Sequence, residues 1–159
     1  MTYTPSRVQN YQTIVDTSVS SEEISTTIEV YPGTEIDYTP ANGAERVVYS
    51  VNYGSYVLPD NNQAFFNTRL QESTNGGVSW TDIDGCKLFN GTSSPINDYD
   101  QISFSHCFII ASWSGSKKLR LAGRSKDTNT EYTVNRYMKW PSFGNSCPFV
   151  SVYSLMKAE

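Results

Sequence analysis

Lys117–Ser125 (KKLRLAGRS), Glu131–Lys139 (EYTVNRYMK) and Pro148–Met156 (PFVSVYSLM) decide the fold. Each is a β-patterned run, and turn-rich loops separate them. In the first, Leu119 and Leu121 fall on one face and Arg120 on the other, as a half-buried strand requires. The third carries the pattern almost to the last residue and is expected to seal the domain. Upstream, the alternation predicts strands over Glu35–Tyr38, Arg46–Tyr53, Ala64–Glu72, a broken Val78–Phe89 and Gln101–Ser112. Turn material links them: Asn42-Gly43, Pro59–Asn62, Asn75-Gly76-Gly77, Asp84-Gly85, Asn90-Gly91 and Asp127–Asn129. Asn75-Gly76 between apolar runs predicts a hairpin. About eight strands at this spacing, with no helical stretch between them, predict an all-β antiparallel sandwich.

Composition agrees with strands and narrows the function. The 159 residues suffice for one domain with a substantial core. Rings make up 13% of the chain, with Tyr 11 leading, and only 18% is charged. Polarity therefore comes from Ser, Thr and Asn, which suits sheet faces better than long helices. Net charge is −4, and Lys and Arg form no run beyond Lys117-Lys118, which disfavours a nucleic-acid partner. No stretch of about eighteen apolar residues suggests a membrane span. Met1–Thr13 has no apolar signal region, so synthesis and folding in the cytoplasm are expected. Cys86, Cys107 and Cys147 are odd in number and share no metal-type spacing. Free buried thiols are the expectation, with one disulfide and a leftover thiol as the alternative.

Residues 1–33 differ from 34–159: they are rich in Ser and Thr, and their apolar residues are sparse and irregular. Ser20-Ser21-Glu22-Glu23 resembles a helix capping box, yet the β-branched run after it allows one helical turn at most. We read 1–33 as an extended arm ordered by lying on its own domain, a neighbouring subunit or another surface, and 34–159 as the sandwich. A loose terminus is the alternative.

Two strands bear on assembly. Val47, Tyr49, Val51 and Tyr53 face one way, and Val48, Ser50 and Asn52 the other. Ile102, Phe104, His106, Phe108 and Ile110 share one face of the next long strand, with Cys107, Ile109 and Ala111 on its reverse. That reverse face is too apolar to meet water unaided, so a covering arm or a second subunit is expected.

At this point the pieces Ile36-Asp37-Tyr38-Thr39-Pro40, Gly43–Tyr49, Leu119–Arg124 and Pro148–Leu155 resemble short structural proteins of marine tailed bacteriophages. The shared pattern is a strand ending Y-x-P, a Gly-Ala turn into VVY, and an L-x-x-R strand before a Trp-bearing turn, here Trp140. The turn itself departs, reading Trp140-Pro141-Ser142 where Trp-Asp-Gly is expected. Such domains are similar to the tumour-necrosis-factor and C1q jelly rolls. The resemblance implies a homotrimer on a virion, as a capsid decoration, knob or head-fibre protein. The major capsid protein or another virion protein would be held through the arm. It also implies a trimer interface at Phe149, Tyr153 and Leu155 of the last strand, joined by Ile109 and Cys107; ordinary core is the alternative for the last strand.

Catalysis has little to stand on. His106 is the single histidine, and adjacent strand positions put Cys107 on the opposite face, so the two form no nucleophile–base pair. No P-loop, G-x-S-x-G or H-E-x-x-H occurs. Asp82-x-Asp84, Asp98-x-Asp100 and Asp127-x-Asn129-x-Glu131 have oxygen-ligand spacing, but Asp and Asn are also default turn residues and no EF-hand loop is completed. Neither a cofactor nor a metal is therefore expected. The competing function is a receptor-binding, tail-fibre or adhesin domain touching a host glycan through Trp140, Tyr99, Asp98 and Asp100. Trp80 and Trp113, in strand-like runs, are expected to be packed.

Overall fold

The computed structural model describes residues 7–15, 22–24, 27–31, 33–57, 65–91, 100–125, 136–138 and 149–157. Eleven strands are present among them: β1 (Val8–Val15), β2 (Glu22–Ile24), β3 (Glu29–Val30), β4 (Ile36–Tyr38), β5 (Ala44–Val57), β6 (Phe65–Ser73), β7 (Thr81–Gly91), β8 (Asp100–Ala111), β9 (Lys117–Ser125), β10 (Arg136–Met138) and β11 (Phe149–Met156). Every pairing is antiparallel. One sheet runs β1-β11-β5, with β8 on the far edge of β5 and β10-β2 continuing beside the end of β5. The other runs β9-β6-β7, with β3 and β4 both on β9. Eight of these strands, β1-β11-β5-β8 and β4-β9-β6-β7, make the two layers of a jelly-roll sandwich.

The core lies between the layers and follows the alternation. Val47, Tyr49 and Val51 from β5, Val150 and Val152 from β11, and Phe108 and Ile110 from β8 meet Leu70, Leu119, Leu121, Ile36 and Tyr38 from the second sheet. Three tyrosines are buried with partnered hydroxyls. The Tyr49 hydroxyl donates to the Thr34 carbonyl at 2.6 Å, Tyr31 bonds Thr68 at 3.1 Å, and Tyr38 bonds Ser154 at 2.8 Å. Thr34 in turn accepts from the Leu121 amide at 3.1 Å, so one threonine ties β9 to β5 across the layers. Burial pushes the Tyr31 phenol up to about 12 and that of Tyr49 further still.

The limit of one helical turn after Ser20–Glu23 holds, since Glu22–Ile24 is a strand paired with β10, as its β-branched continuation favours; Ser20 and Ser21 lie outside the described residues. Two expectations need correction. Asp84-Gly85 is not a link between strands. It sits inside β7 as a bulge, where Arg69 faces Lys87 but Gln71 already faces Asp82, and Gly85 takes φ +75°. Cys107 is exposed rather than buried, while Cys86 is buried as expected; Cys147 lies outside the described residues.

The segment before Gly33 supplies three strands to its own domain, β1 on β11, β2 on β10 and β3 on β9. The β1–β11 ladder extends through the Met156 amide, which donates to the Arg7 carbonyl at 3.0 Å. A bulge at Asn10, whose φ is +50°, interrupts its register between Gln9 and Gln12.

Candidate functional site

Register places side chains in rows across a sheet, because directly paired residues point to the same face. On the outer face of the six-stranded sheet, Tyr153 is opposite Val48, and Val48 is opposite Ile109. Tyr11 of β1 joins that row by stacking on Tyr153, with ring centroids 6.0 Å apart. The neighbouring rows are Ser151–Ser50–Cys107, Val15–Phe149–Asn52 and Val8–Leu155–Arg46. All five residues expected at a trimer interface, Phe149, Tyr153, Leu155, Ile109 and Cys107, therefore lie on this one face. Ile109 is 61% exposed and Tyr11 60%, whereas Val48 between them is only 2% exposed. Burial raises the Tyr153 phenol, and the adjacent Cys107 and Tyr11 reinforce the rise.

Of the four residues expected to contact a ligand, only Asp100 is among those described. Asp100 opens β8 opposite Val57. Trp140, Tyr99 and Asp98 lie outside the described residues. His106 faces inward beside Phe108, ring centroids 6.4 Å apart, and burial lowers its pKa; Cys107 points outward, so no catalytic pair forms. Among the described residues no three His, Cys, Asp or Glu side chains gather as a metal site. An open depression of about 450 Å³ lies between the Pro40–Ala44 and Ser112–Gly115 turns. Trp113 lines it, packed edge-on against Tyr38, and its buried indole N–H has no partner among the described residues.

A second surface escaped the sequence reading. On the outer face of the five-stranded sheet, one row runs Asp82–Gln71–Arg120 and the next Lys87–Arg69–Ala122. Arg69 donates to Asp82 at 2.8 Å, Gln71 donates to its other oxygen at 3.0 Å, and Lys87 stands 3.4 Å away. Burial alone would raise the Asp82 carboxyl, but the Gln71 bond and the two cations outweigh it and hold it below its usual range. Arg120 donates from Nε to Gln71 at 3.0 Å and lays its guanidinium on the Trp80 ring, 3.8 Å from the centroid. Trp80 is thus half-buried in the β6–β7 loop, not inside a strand. Arg69 and Gln71 are 12% and 8% exposed, and the buried Arg69 Nε lacks a partner among the described residues. The signal was present as alternation (Arg69 and Gln71 flank Leu70; Lys118 and Arg120 flank Leu119), but only register joins the strands.

No family model matches the chain, and no curated protein does. Among solved structures it is similar to the globular domain of zebrafish complement 1qA protein. The two are 8% identical with a TM-score of 0.39, over 92% of this chain and 95% of that one. It is also similar to Eiger TNF from S. frugiperda, at 10% identity and a TM-score of 0.33, over 89% of this chain and 96% of that one. At these values neither likeness bears on function or assembly; the jelly-roll description rests on the strand pairings.

Proposed function

We propose that the protein is a self-assembling structural domain of a virion: a homotrimer that decorates a phage capsid or forms a small knob or head fibre, held through its N-terminal end. One observation carries the assembly: the row Tyr11–Tyr153–Val48–Ile109 crosses four strands on the outside of a sheet with its two end residues open to water. Apolar area of that kind favours burial against another copy, and tyrosine adds a hydroxyl for bonds across the seam. The virion role is supported by the sequence resemblance of Ile36–Pro40, Gly43–Tyr49, Leu119–Arg124 and Pro148–Leu155.

Mass of the native assembly tests the first half. A trimer is expected, and Ile109→Asp, which puts a charge on an already exposed position, should yield folded monomer. A stable wild-type monomer at micromolar concentration would overturn it. The second half is tested by co-sedimentation with capsids. Removing Met1–Ser6 keeps β1 in place and should abolish attachment; a truncated protein that still sediments with capsids argues against the tether.

A further inference from the structure

Outside the proposed seam, the outer face of β4, β9, β6 and β7 gathers charge that the sequence disperses. Five cations, Arg69, Lys87, Lys118, Arg120 and Arg124, stand against three carboxylates, Asp82, Glu35 and Asp37. Lys118 engages both Glu35 and Asp37, at 2.6 and 3.2 Å. The face therefore carries two more cations than these three carboxylates, on a chain whose net charge is −4. Arg120 and Arg124 flank Ala122 on β9, about 13 Å apart at the backbone by strand geometry, and Arg69 of β6 lies opposite Ala122 between them. Arg124 is exposed and makes no ion pair among the described residues. The Trp80 ring, held by Arg120 and by its own N–H to the Gly77 carbonyl at 3.0 Å, closes one end.

We propose that this face binds an acidic polysaccharide, with Arg124, Lys87 and Arg120 taking carboxylate or sulfate groups and Trp80 bordering a sugar ring. Guanidinium groups suit such groups because the planar fork donates two parallel hydrogen bonds. A densely charged polyphosphate fits less well, since Asp82, Asp37 and Glu35 would meet it with like charge. A sugar acid carries its charge sparsely, and its hydroxyls donate to those same carboxylates. Self-association uses the opposite sheet, so neither proposal depends on the other.

Titration of the full chain with oligogalacturonate, with maltohexaose as the neutral control, tests the assignment. Binding is expected for the uronate alone and should weaken several-fold between 0.05 and about 0.5 M NaCl, as screening demands. The double variant Arg124→Gln/Lys87→Gln should lose about tenfold in affinity while staying folded at the titration temperature, its Tm lowered only by loss of the half-exposed Lys87–Asp82 pair. Uronate should shift tryptophan emission in the wild type and not in Trp80→Phe. Absence of uronate binding at low salt, equal affinity in the double variant, or tighter binding of a single-stranded oligonucleotide at the same salt would each overturn the proposal. The Ile109→Asp variant should bind uronate at an unchanged site affinity, which keeps a failure here distinct from a failure of assembly.

Discussion

Tyr49 shows how much one polar atom matters in this core. Its hydroxyl is the partner of the Thr34 carbonyl, and the ring is fully buried. Tyr49→Phe keeps the packing but strands that carbonyl in an apolar layer. A loss of about 1–3 kcal/mol is expected from denaturant titration, with the m-value unchanged. Asp82 responds to pH instead. Its carboxyl is held below the usual range in the folded state, so it stabilises the protein above the unfolded value of about 4, and that contribution disappears as pH falls through the folded value. Asp82→Asn should therefore melt lower than wild type at pH 7, with the gap narrowing as pH falls below the unfolded value and closing once the folded carboxyl is protonated. A gap that persists in acid would mean that Asp82 acts through shape rather than charge.

The strands that alternation reveals are those whose faces differ most. β9 matches its expected bounds, and β11 carries Val150 and Val152 inward and Phe149 and Tyr153 outward. β5 runs on to Val57, because pairing with β8 along its whole length prolongs it past the residues that reach the core. The bulge in β7 was illegible: Asp84-Gly85 has the same composition whether it ends a strand or kinks one. Register was illegible too, and with it the clustering of Arg69, Gln71 and Arg120 from strands far apart in sequence. Gly123 gives an element-scale test. A Cβ there would overlap the Tyr31 hydroxyl and come 2.7 Å from the Asn67 carbonyl, so β9 passes beneath the Tyr31 ring only with glycine at that point. Gly123→Ala should cost about 1–3 kcal/mol by thermal denaturation. An unchanged Tm would show that β9 and Tyr31 move apart freely.

At the scale of the molecule, the two sheets turn different chemistry outward. The six-stranded sheet shows rings and aliphatics; the five-stranded sheet shows guanidinium, ammonium and amide groups. The overall charge of −4 conceals that division, because composition averages over faces. If copies associate through the apolar side, stability is linked to concentration. The wild-type Tm should then rise with protein concentration, while that of Ile109→Asp should stay flat. Equal Tm values for the two at every concentration would leave the apolar row without a role in association.

The Met156–Arg7 hydrogen bond and the pairing of Val8 with Leu155 put Arg7 and Lys157 at one corner, on neighbouring antiparallel strands. Whatever is fused before the one or after the other leaves from that same corner. A force pulling the two apart would unzip β1 from β11 rung by rung instead of shearing the whole ladder at once. A tether that carries load through both would therefore yield early and gradually.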